Sequence, residues 1–136
     1  MSDRPVITAL LRKSHQRLDA ARILCTQGHH EDSINRAYYA MYLAALALLY
    51  RKGVETTKTH AGLISTIGSL YVKTGELAPE HGRALNLIEE LREEVDYTIC
   101  REIMREEVVS VIGKATAFVT CAEQICAEDY TNEPSS

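Results

Sequence analysis

The sequence is poor in several features that identify whole classes of protein. It has no tryptophan, one phenylalanine and three prolines in 136 residues. Its four cysteines form no CxxC pair, so the sequence does not indicate a zinc finger or a disulfide-rich secreted domain. We expect the cysteines to be free thiols in a reducing cytoplasm. No apolar segment follows the first few residues, so we expect no signal peptide.

Common enzyme motifs are missing too. The sequence contains no GxxxxGK(S/T) phosphate loop, GxGxxG dinucleotide-binding turn, HExxH zinc motif or serine nucleophile elbow. We therefore expect no metal and no cofactor. The net charge of -4 speaks against binding nucleic acid through bulk positive charge, so such a role would need a local basic patch.

The most informative stretch that is present runs from Ala37 to Tyr50. It has no charge, glycine or proline, and its alanines and leucines are strong helix formers. A run of this length is too short to span a bilayer and is typical of a helix buried inside a bundle. Such a helix must be covered on every side, so we expect amphipathic helices packed around it.

Helical periodicity and glycine stops predict an all-α, up-and-down bundle of about five helices. We expect one domain, residues 1–128, followed by a flexible polar tail, residues 129–136. The segment 29–31, with two histidines and a glutamate, is expected to form an exposed turn and not a metal site. The predicted helices span residues 4–27, 32–52, 60–73, 79–100 and 105–128.

Two arginines interrupt apolar surfaces. Arg92 falls inside the apolar arc of the fourth helix, one turn before Asp96, while Arg36 begins the central apolar run beside Tyr39. Arg92 and Asp96 can form an ordinary i, i+4 ion pair worth roughly 0.2–0.5 kcal/mol. An unpaired buried charge would cost several kcal/mol, so we predict that Arg36 and Asp96 meet between two helices with Arg92 nearby. Glu89 is expected on the remaining, exposed surface of the fourth helix.

The central helix is rich in tyrosine, with Tyr38, Tyr39, Tyr42 and Tyr50. Core packing with the hydroxyls satisfied at the edge accounts for these residues. A surface that stacks on nucleotide bases accounts for them as well. Both interpretations stay open at this point.

The third helix is predicted to begin around Lys58, Thr59 and His60. Thr59 is a plausible N-cap, because its hydroxyl oxygen can accept from a free backbone N–H of the first turn. The same N–H groups can hold an anion beside Lys58 and His60, although exposed side chains around a capping threonine explain the pattern equally. His60 is the histidine with the best chemical setting.

Four blocks of the sequence resemble one protein family. They read NRAYYAMYLAA at 35–45, KTHAGLI at 58–64, YVKTG at 71–75 and LREEVDY at 91–97. In this order and spacing they are similar to the stand-alone members of the prokaryotic HEPN-domain family, over about residues 8–125. The resemblance implies a bundle of about five helices that forms a homodimer around the fourth-helix region.

The resemblance also implies a range of functions. Many HEPN proteins are metal-independent ribonucleases, often toxins paired with a small nucleotidyltransferase antitoxin, and others bind nucleotides or are non-catalytic. Arg92 matches the arginine of the ribonuclease signature, which is followed a few residues later by histidine and then tyrosine. Here Asp96 and Tyr97 follow Arg92, and no histidine occurs after it. An aspartate beside an arginine has a lowered pKa and is a poor base.

We therefore expect a cytoplasmic nucleotide- or RNA-binding module of a toxin–antitoxin-like or nucleotidyltransferase-associated system that is weakly catalytic or non-catalytic. The alternatives are a metal-independent endoribonuclease toxin and a purely structural interaction bundle. The expected partners are a second copy, a small nucleotidyltransferase, and RNA or a nucleotide, with no membrane. Candidate residues are, for catalysis, Arg92, Asp96 and Tyr97 and, for ligand binding, Arg36, Tyr39, Lys58 and His60.

Overall fold

Five α-helices make up most of the protein in a computed structural model, which describes residues 4–54 and 59–131. No strand occurs within these residues, so the predicted all-α bundle of about five helices is confirmed. A short π-helical segment, Gly68–Val72, continues the third helix. In chain order the helices are α1, Arg4–Thr26; α2, His30–Arg51; α3, His60–Ile67; α4, Pro79–Tyr97; and α5, Arg105–Thr131.

The core is organised around α2, as its apolar run predicts. This helix contacts α1, α3, α4 and α5, and most of residues 37–49 have no exposed surface. Two buried serine hydroxyls join α1 to α2. Ser14 donates to the carbonyl of Ala40 at 2.7 Å. Ser33 donates to the carbonyl of Ala21 at 2.6 Å, and these bonds remove the cost of burying both hydroxyls.

The turn between α1 and α2 is shorter than predicted. Gly28 lies in the left-handed region at φ 84° and ends α1, as glycine does at many helix ends. α2 then begins at His30, so only His29 of the expected turn 29–31 lies outside a helix. The side chain of His30 bonds the carbonyl of Ile103 at 3.0 Å, which ties the start of α2 to the segment before α5.

The last two helices also differ from prediction at their ends. α4 ends at Tyr97, so Ile99, expected in its apolar arc, is fully exposed (101 %). α5 continues to Thr131, into the segment predicted to be a tail. Residues 132–136 lie outside the described residues, and a flexible tail there stays a prediction.

α5 has an apolar composition that core packing explains. By length and composition alone, Arg105–Glu128 would be apolar enough to cross a membrane. In the bundle this helix contacts α1, α2 and α4. Five of its side chains have no exposed surface: Val108, Ala115, Phe118, Val119 and Ala122. A stripe of this kind is what a helix needs to cover a buried partner such as α2.

A polar cluster closes the C-terminal end of α2. We name it the α2-terminal cluster; it consists of Arg51, Lys52, Tyr71 and Glu76. Arg51 Nη1 and Lys52 Nζ bind the two carboxylate oxygens of Glu76 at 3.1 and 2.7 Å. Tyr71 is buried and donates its hydroxyl to the carbonyl of Leu48 at 2.5 Å. Burial raises the pKa of Tyr71 to about 12, against the opposing effect of Arg51, so its phenol stays neutral.

Candidate functional site

A second polar cluster lies where α2, α3 and α4 meet. We name it the His60 cluster; it consists of Tyr38 from α2, His60 from α3, and Glu89, Arg92 and Asp96 from α4. The spacings of three and four residues put the α4 members on one face of that helix. Tyr38 has no exposed surface and Glu89 is only 6 % exposed, so the cluster begins inside the bundle and opens outward.

Arg92 holds the α4 part of the cluster together. Its Nε and Nη2 atoms donate to the two carboxylate oxygens of Glu89 at 3.2 and 3.0 Å. Its Nη1 atom donates to Asp96 at 3.1 Å, which confirms the predicted i, i+4 pair. The guanidinium carbon also lies 5.1 Å from the centroid of the Tyr38 ring. A planar guanidinium suits this combination of bidentate pairing and contact with an aromatic face.

His60 enters the cluster from the first turn of α3. The predicted N-cap is confirmed, since the Thr59 side chain accepts from the backbone N–H of Gly62 at 2.9 Å. His60 Nδ1 is hydrogen-bonded to the hydroxyl of Tyr38 and lies 3.7 Å from a carboxylate oxygen of Glu89. The His60 side chain is 36 % exposed. Its Nε2 atom has no hydrogen-bonding partner within residues 4–54 and 59–131.

Four rings form a continuous aromatic surface over the cluster. We name it the aromatic wall; it consists of Tyr38, Tyr39, Tyr42 and His60. The His60 ring stacks on Tyr38 at 5.5 Å and tilts against Tyr42 at 5.0 Å between centroids. Tyr39 stands edge-on to Tyr38 at 5.4 Å and is 38 % exposed. Tyr38 packs in the core, as the first interpretation of the tyrosines predicts. Tyr39 reaches solvent, so the second interpretation, a surface that stacks on bases, stays a prediction for the outer rings.

The charges of the cluster are mutually stabilised. Burial by itself raises the pKa of Glu89, but the hydrogen bonds from Arg92 and Tyr38 and the positive charge of Arg92 outweigh it, so the pKa is lowered. The hydrogen bond to Glu89 raises the pKa of Arg92 against the opposing effect of burial. Burial raises the pKa of Tyr38, and its hydrogen bond to Glu89 raises it further. At neutral pH Glu89 is therefore a carboxylate, Arg92 a guanidinium and Tyr38 a neutral phenol.

The predicted meeting of Arg36 and Asp96 is wrong. Arg36 is exposed on α2 and lies in a shallow groove with Arg17 of α1, where it has no ion pair with any described residue. Asp96 pairs with Arg92 on its own helix. The apolar run of α2 begins after Arg36, and Arg36 itself is exposed in a groove whose other lining residues belong to α1.

The remaining candidates fall in three places. Tyr39 and His60 belong to the aromatic wall, as described above. Tyr97, the last residue of α4, is 83 % exposed and takes no part in the hydrogen bonds of the cluster. Lys58 lies outside the described residues. The ligand-binding and catalytic roles of all these side chains stay predictions.

Sequence reasoning missed the two most buried members of the cluster. Glu89 was expected on the exposed surface of α4, and that placement is wrong: it lies under His60 and carries the bidentate pair. Tyr38 was noted only as one of several tyrosines. The signal that could have found Glu89 is its i, i+3 spacing to Arg92, which puts both on one face of the helix.

The match to known proteins decides the family. A family model described as HEPN domain matches residues 7–125. This chain belongs to the HEPN domain family. One relative is named "Putative toxin MJ0605", from Methanocaldococcus jannaschii, and is 36% identical over 85% of each chain. A UPF0332 protein from Thermotoga maritima is 32% identical over 84% of this chain and 86% of its own.

A second relative from Methanocaldococcus jannaschii, named "Putative toxin MJ0142", is 28% identical over 81% of this chain and 74% of its own. The HEPN resemblance predicted from the four sequence blocks is therefore confirmed, and with it a family whose members include proteins named as toxins. The histidine of the cluster, His60, comes from α3 and lies 3.7 Å from Glu89, the carboxylate that pairs with Arg92. No group of three His, Cys, Asp or Glu side chains in the described part of the chain is placed to hold a metal ion.

Proposed function

We propose that this HEPN chain is an RNA- or nucleotide-binding module of a toxin–antitoxin-like or nucleotidyltransferase-associated system in the cytoplasm, with weak or no catalytic activity. The observation that carries the proposal is an aromatic wall, partly open to solvent, beside an arginine whose charge is already paired with two carboxylates. The wall favours binding, and the paired arginine argues against efficient catalysis.

The binding part of the proposal rests on the outer rings of the wall. Tyr39 is 38 % exposed and stands edge-on to Tyr42 at 6.1 Å between ring centroids. Stacking of a base on such a ring is worth about 1–3 kcal/mol, and it tolerates any base sequence. Single-stranded RNA or a free nucleotide offers an unpaired base for this contact, whereas a duplex does not.

The weak-catalysis part rests on Arg92. Cleavage of RNA without a metal needs a cation to stabilise the charge that develops on the phosphorus oxygens. Arg92 is held by Glu89 through two hydrogen bonds and by Asp96 through a third, and its side chain is only 15 % exposed. A phosphate would have to compete with both carboxylates, so its stabilisation by this arginine is small.

Fluorescence anisotropy with a short labelled single-stranded RNA tests the binding. We expect Tyr39→Leu to weaken binding about fivefold or more, because one base loses its stacking partner. Tyr50→Leu is the matched control, since Tyr50 lies on the same helix, is also partly buried, and is absent from the ring contacts of the wall. Equal losses in the two variants, or no binding by the wild type, would contradict the proposal.

The names of two relatives and one further surface support the expected partners. Two relatives carry names that include the word toxin, which supports a toxin–antitoxin context. A groove between α4 and α5 is lined by Leu87, Leu91, Lys114 and Glu106, and Leu87 is 52 % exposed. This groove is a suitable contact surface for the expected homodimer. Sedimentation of wild type and Leu87→Glu tests it: a dimer that becomes a monomer supports the assignment, and an unchanged dimer contradicts it.

A small nucleotidyltransferase is the expected protein partner. A reading frame for such an enzyme beside the gene for this chain would support the pairing. Co-expression of the two proteins should then yield a complex, and should relieve any growth arrest that this chain causes alone. Separate elution of the two proteins, with growth unaffected in either case, would count against a nucleotidyltransferase-associated system.

A metal-independent endoribonuclease is the second candidate, and the position of His60 favours it. In that reaction His60 Nε2 takes the proton of a 2′-hydroxyl, O2′ bonds to phosphorus, the bond from phosphorus to O5′ breaks, and O5′ takes the proton from the imidazolium. Incubation of single-stranded RNA with EDTA tests it. Cleavage by wild type that is lost in both Arg92→Ala and His60→Gln would establish this candidate; no cleavage by folded protein leaves the binding module.

A further inference from the structure

A shallow groove lies on the surface formed by α1 and α2. We name it the α1–α2 groove; it is lined by Arg17, Ala20, Ile23 and Leu24 of α1 and by Arg36 of α2, and its volume is about 450 Å³. Ile23 is 58 % exposed. None of the lining residues belongs to the His60 cluster or to the aromatic wall. The groove is therefore a separate surface, with an aliphatic floor and two cations.

The two arginines of the groove have no acidic partner. The serine hydrogen bonds that join α1 to α2 fall on either side of Arg17 along α1 and of Arg36 along α2, so both arginines lie at the same level of the helix pair. Neither forms an ion pair within residues 4–54 and 59–131, although Asp32 precedes Arg36 by one helical turn. By contrast, Arg51 and Arg92 each pair with a carboxylate.

The helix that forms most of the groove is the basic part of an acidic protein. α1 contains five basic residues and one acidic residue, whereas the whole chain has 15 lysines and arginines against 19 aspartates and glutamates. The one acidic residue, Asp19, is paired with Arg22 of the same helix at 3.1 Å. This uneven distribution makes the surface of α1 attract negatively charged partners and repel positively charged ones.

The composition of the groove favours an acidic protein segment over a nucleic acid. Proteins bind single strands through rings that stack on the bases and through several cations along the backbone, but this groove is lined by aliphatic side chains and two cations. An amphipathic helix matches both features. Its leucines at helical spacing can lie in an apolar groove, and the carboxylates beside them can pair with guanidinium groups.

We propose that the α1–α2 groove is the docking surface for an acidic amphipathic helix of a partner protein. The apolar side chains of that helix contact Ile23 and Leu24. Its carboxylates pair with Arg17 and Arg36. The proposal does not rest on RNA binding, because the groove shares no residue with the surface proposed for RNA. It implies that a protein partner and RNA occupy different surfaces of this chain.

An exchange of charge between protein and peptide tests the proposal. The probe is a labelled helical peptide with leucines at positions i, i+3 and i+7 and glutamates at the flanking positions; a second peptide has lysine at each glutamate. In fluorescence anisotropy we expect the wild-type chain to bind the glutamate peptide about tenfold more tightly. Arg17→Glu combined with Arg36→Glu should reverse this preference. Equal affinity of wild type for both peptides, no binding of either, or an unreversed preference in the double variant overturns the proposal.

A second pair of arginines is the matched control for net charge. Arg83→Glu combined with Arg105→Glu makes the same change in charge at two exposed arginines outside the groove. This variant should keep the wild-type preference for the glutamate peptide. A reversal of the same size would show that net charge, and not the groove, selects the peptide, and it would overturn the proposal. Circular dichroism verifies that both double variants are folded.

A neutral substitution tests the floor of the groove. Ile23→Ser removes exposed apolar surface without a change in charge, so the glutamate peptide should bind about threefold more weakly. Leu87→Ser is the matched control, because Leu87 is 52 % exposed and lies outside the groove, and it should keep the wild-type affinity. Equal affinities of the two variants would overturn the proposed apolar contact and with it the docking of an amphipathic helix.

Two measurements distinguish the other possible occupants. RNA affinity should fall no further in the Arg17→Glu, Arg36→Glu variant than in the control pair of arginines; a larger loss would assign the groove to RNA and overturn the choice of a protein helix. Sedimentation compares the same variants. Self-association of wild type that is abolished in the groove variant and kept in the control would assign the groove to a second copy of this chain, which also overturns the proposal.

Discussion

The His60 cluster and the α2-terminal cluster use the same types of residue for different ends. Each contains a tyrosine without exposed surface, an arginine and a glutamate, placed where two or more helices meet. In the α2-terminal cluster the Tyr71 hydroxyl donates a hydrogen bond to the backbone carbonyl of Leu48 at 2.5 Å. In the His60 cluster the Tyr38 hydroxyl is hydrogen-bonded to a side chain, that of His60, which is partly exposed to solvent.

This difference separates a structural cluster from a candidate site. A tyrosine that donates its hydroxyl to a main-chain carbonyl joins two segments of the chain, and its hydroxyl proton is then not available to a ligand. A tyrosine that orients a partly exposed histidine leaves one ring nitrogen available. The balance of charge differs too: Glu76 meets two cations, Arg51 and Lys52, while Arg92 meets two carboxylates. The predictions below test this contrast, beginning with the largest expected effect.

The largest difference is expected between the two central glutamates. Glu89→Ala leaves Arg92 without the carboxylate that accepts two of its hydrogen bonds in a nearly closed space, so we expect a loss of about 3 kcal/mol in the free energy of unfolding. Glu76→Ala removes a carboxylate whose side chain is 38 % exposed, and water can replace it, so the loss should stay under about 1 kcal/mol. Urea denaturation followed by circular dichroism measures both; similar losses would abolish the contrast.

Low pH should destabilise the folded protein through the same two glutamates, Glu89 and Glu76. The pKa of Glu89 is lowered in the folded protein, so its stabilising contribution is present above the ordinary carboxyl pKa of 4.5 and is lost as the pH falls through the lowered value. The hydrogen bond from Lys52 lowers the pKa of Glu76 in the same way. Wild type should therefore lose stability below about pH 4.5. In Glu89→Gln the loss between neutral and acid pH should be smaller; an unchanged slope would contradict the assignment.

The two buried tyrosines should be equal in stability and different in function. Tyr38→Phe and Tyr71→Phe each remove one hydroxyl, and each should cost about 1 kcal/mol. Only Tyr38→Phe should change RNA binding, by about threefold, because only its hydroxyl orients a group that can meet ligand. Thermal unfolding and anisotropy on the same preparations measure the two effects. A binding defect of the same size in Tyr71→Phe would show that the α2-terminal cluster also serves the ligand.

The smallest effect is expected at Arg36. Its side chain is exposed and lies in a groove with Arg17 of α1, so Arg36→Ala should change stability by less than about 0.5 kcal/mol. RNA affinity should stay within about twofold of wild type, since a single exposed cation contributes little to phosphate binding at ordinary salt. Anisotropy measures this directly. A loss as large as that of Tyr39→Leu would place Arg36 in the binding surface after all.

The fold could be predicted because its signals are local. The apolar run of α2, the glycine at position 28 and the capping threonine at position 59 each fix a feature within a few residues of themselves. The pair formed by Arg92 and Asp96 was predictable for the same reason, since helical spacing alone brings them together.

The centre of the site could not be predicted, because it depends on how helices cross. Glu89 is one of several glutamates on α4, and only the approach of α3 selects it as the one beneath His60. The prediction that Arg36 meets Asp96 was wrong for a related reason. A helix that is apolar nearly all round has no polar face to orient it, so its sequence does not say which neighbour covers which side. The sequence could not distinguish Tyr38 from the neighbouring tyrosines, because its hydrogen bond to His60 is visible only in the structure.

The most direct test of the account is a titration of isotope-labelled protein with a short single-stranded RNA, followed by amide and side-chain chemical shifts. The account predicts that the shifts change first and most at Tyr39, Tyr42, His60 and Arg92. Residues of the α2-terminal cluster should move little, although that cluster also contains a buried tyrosine and two cations. Changes centred on Arg51, Lys52 and Tyr71, or no change anywhere at saturating RNA, would contradict the central claim that the His60 cluster is the ligand site.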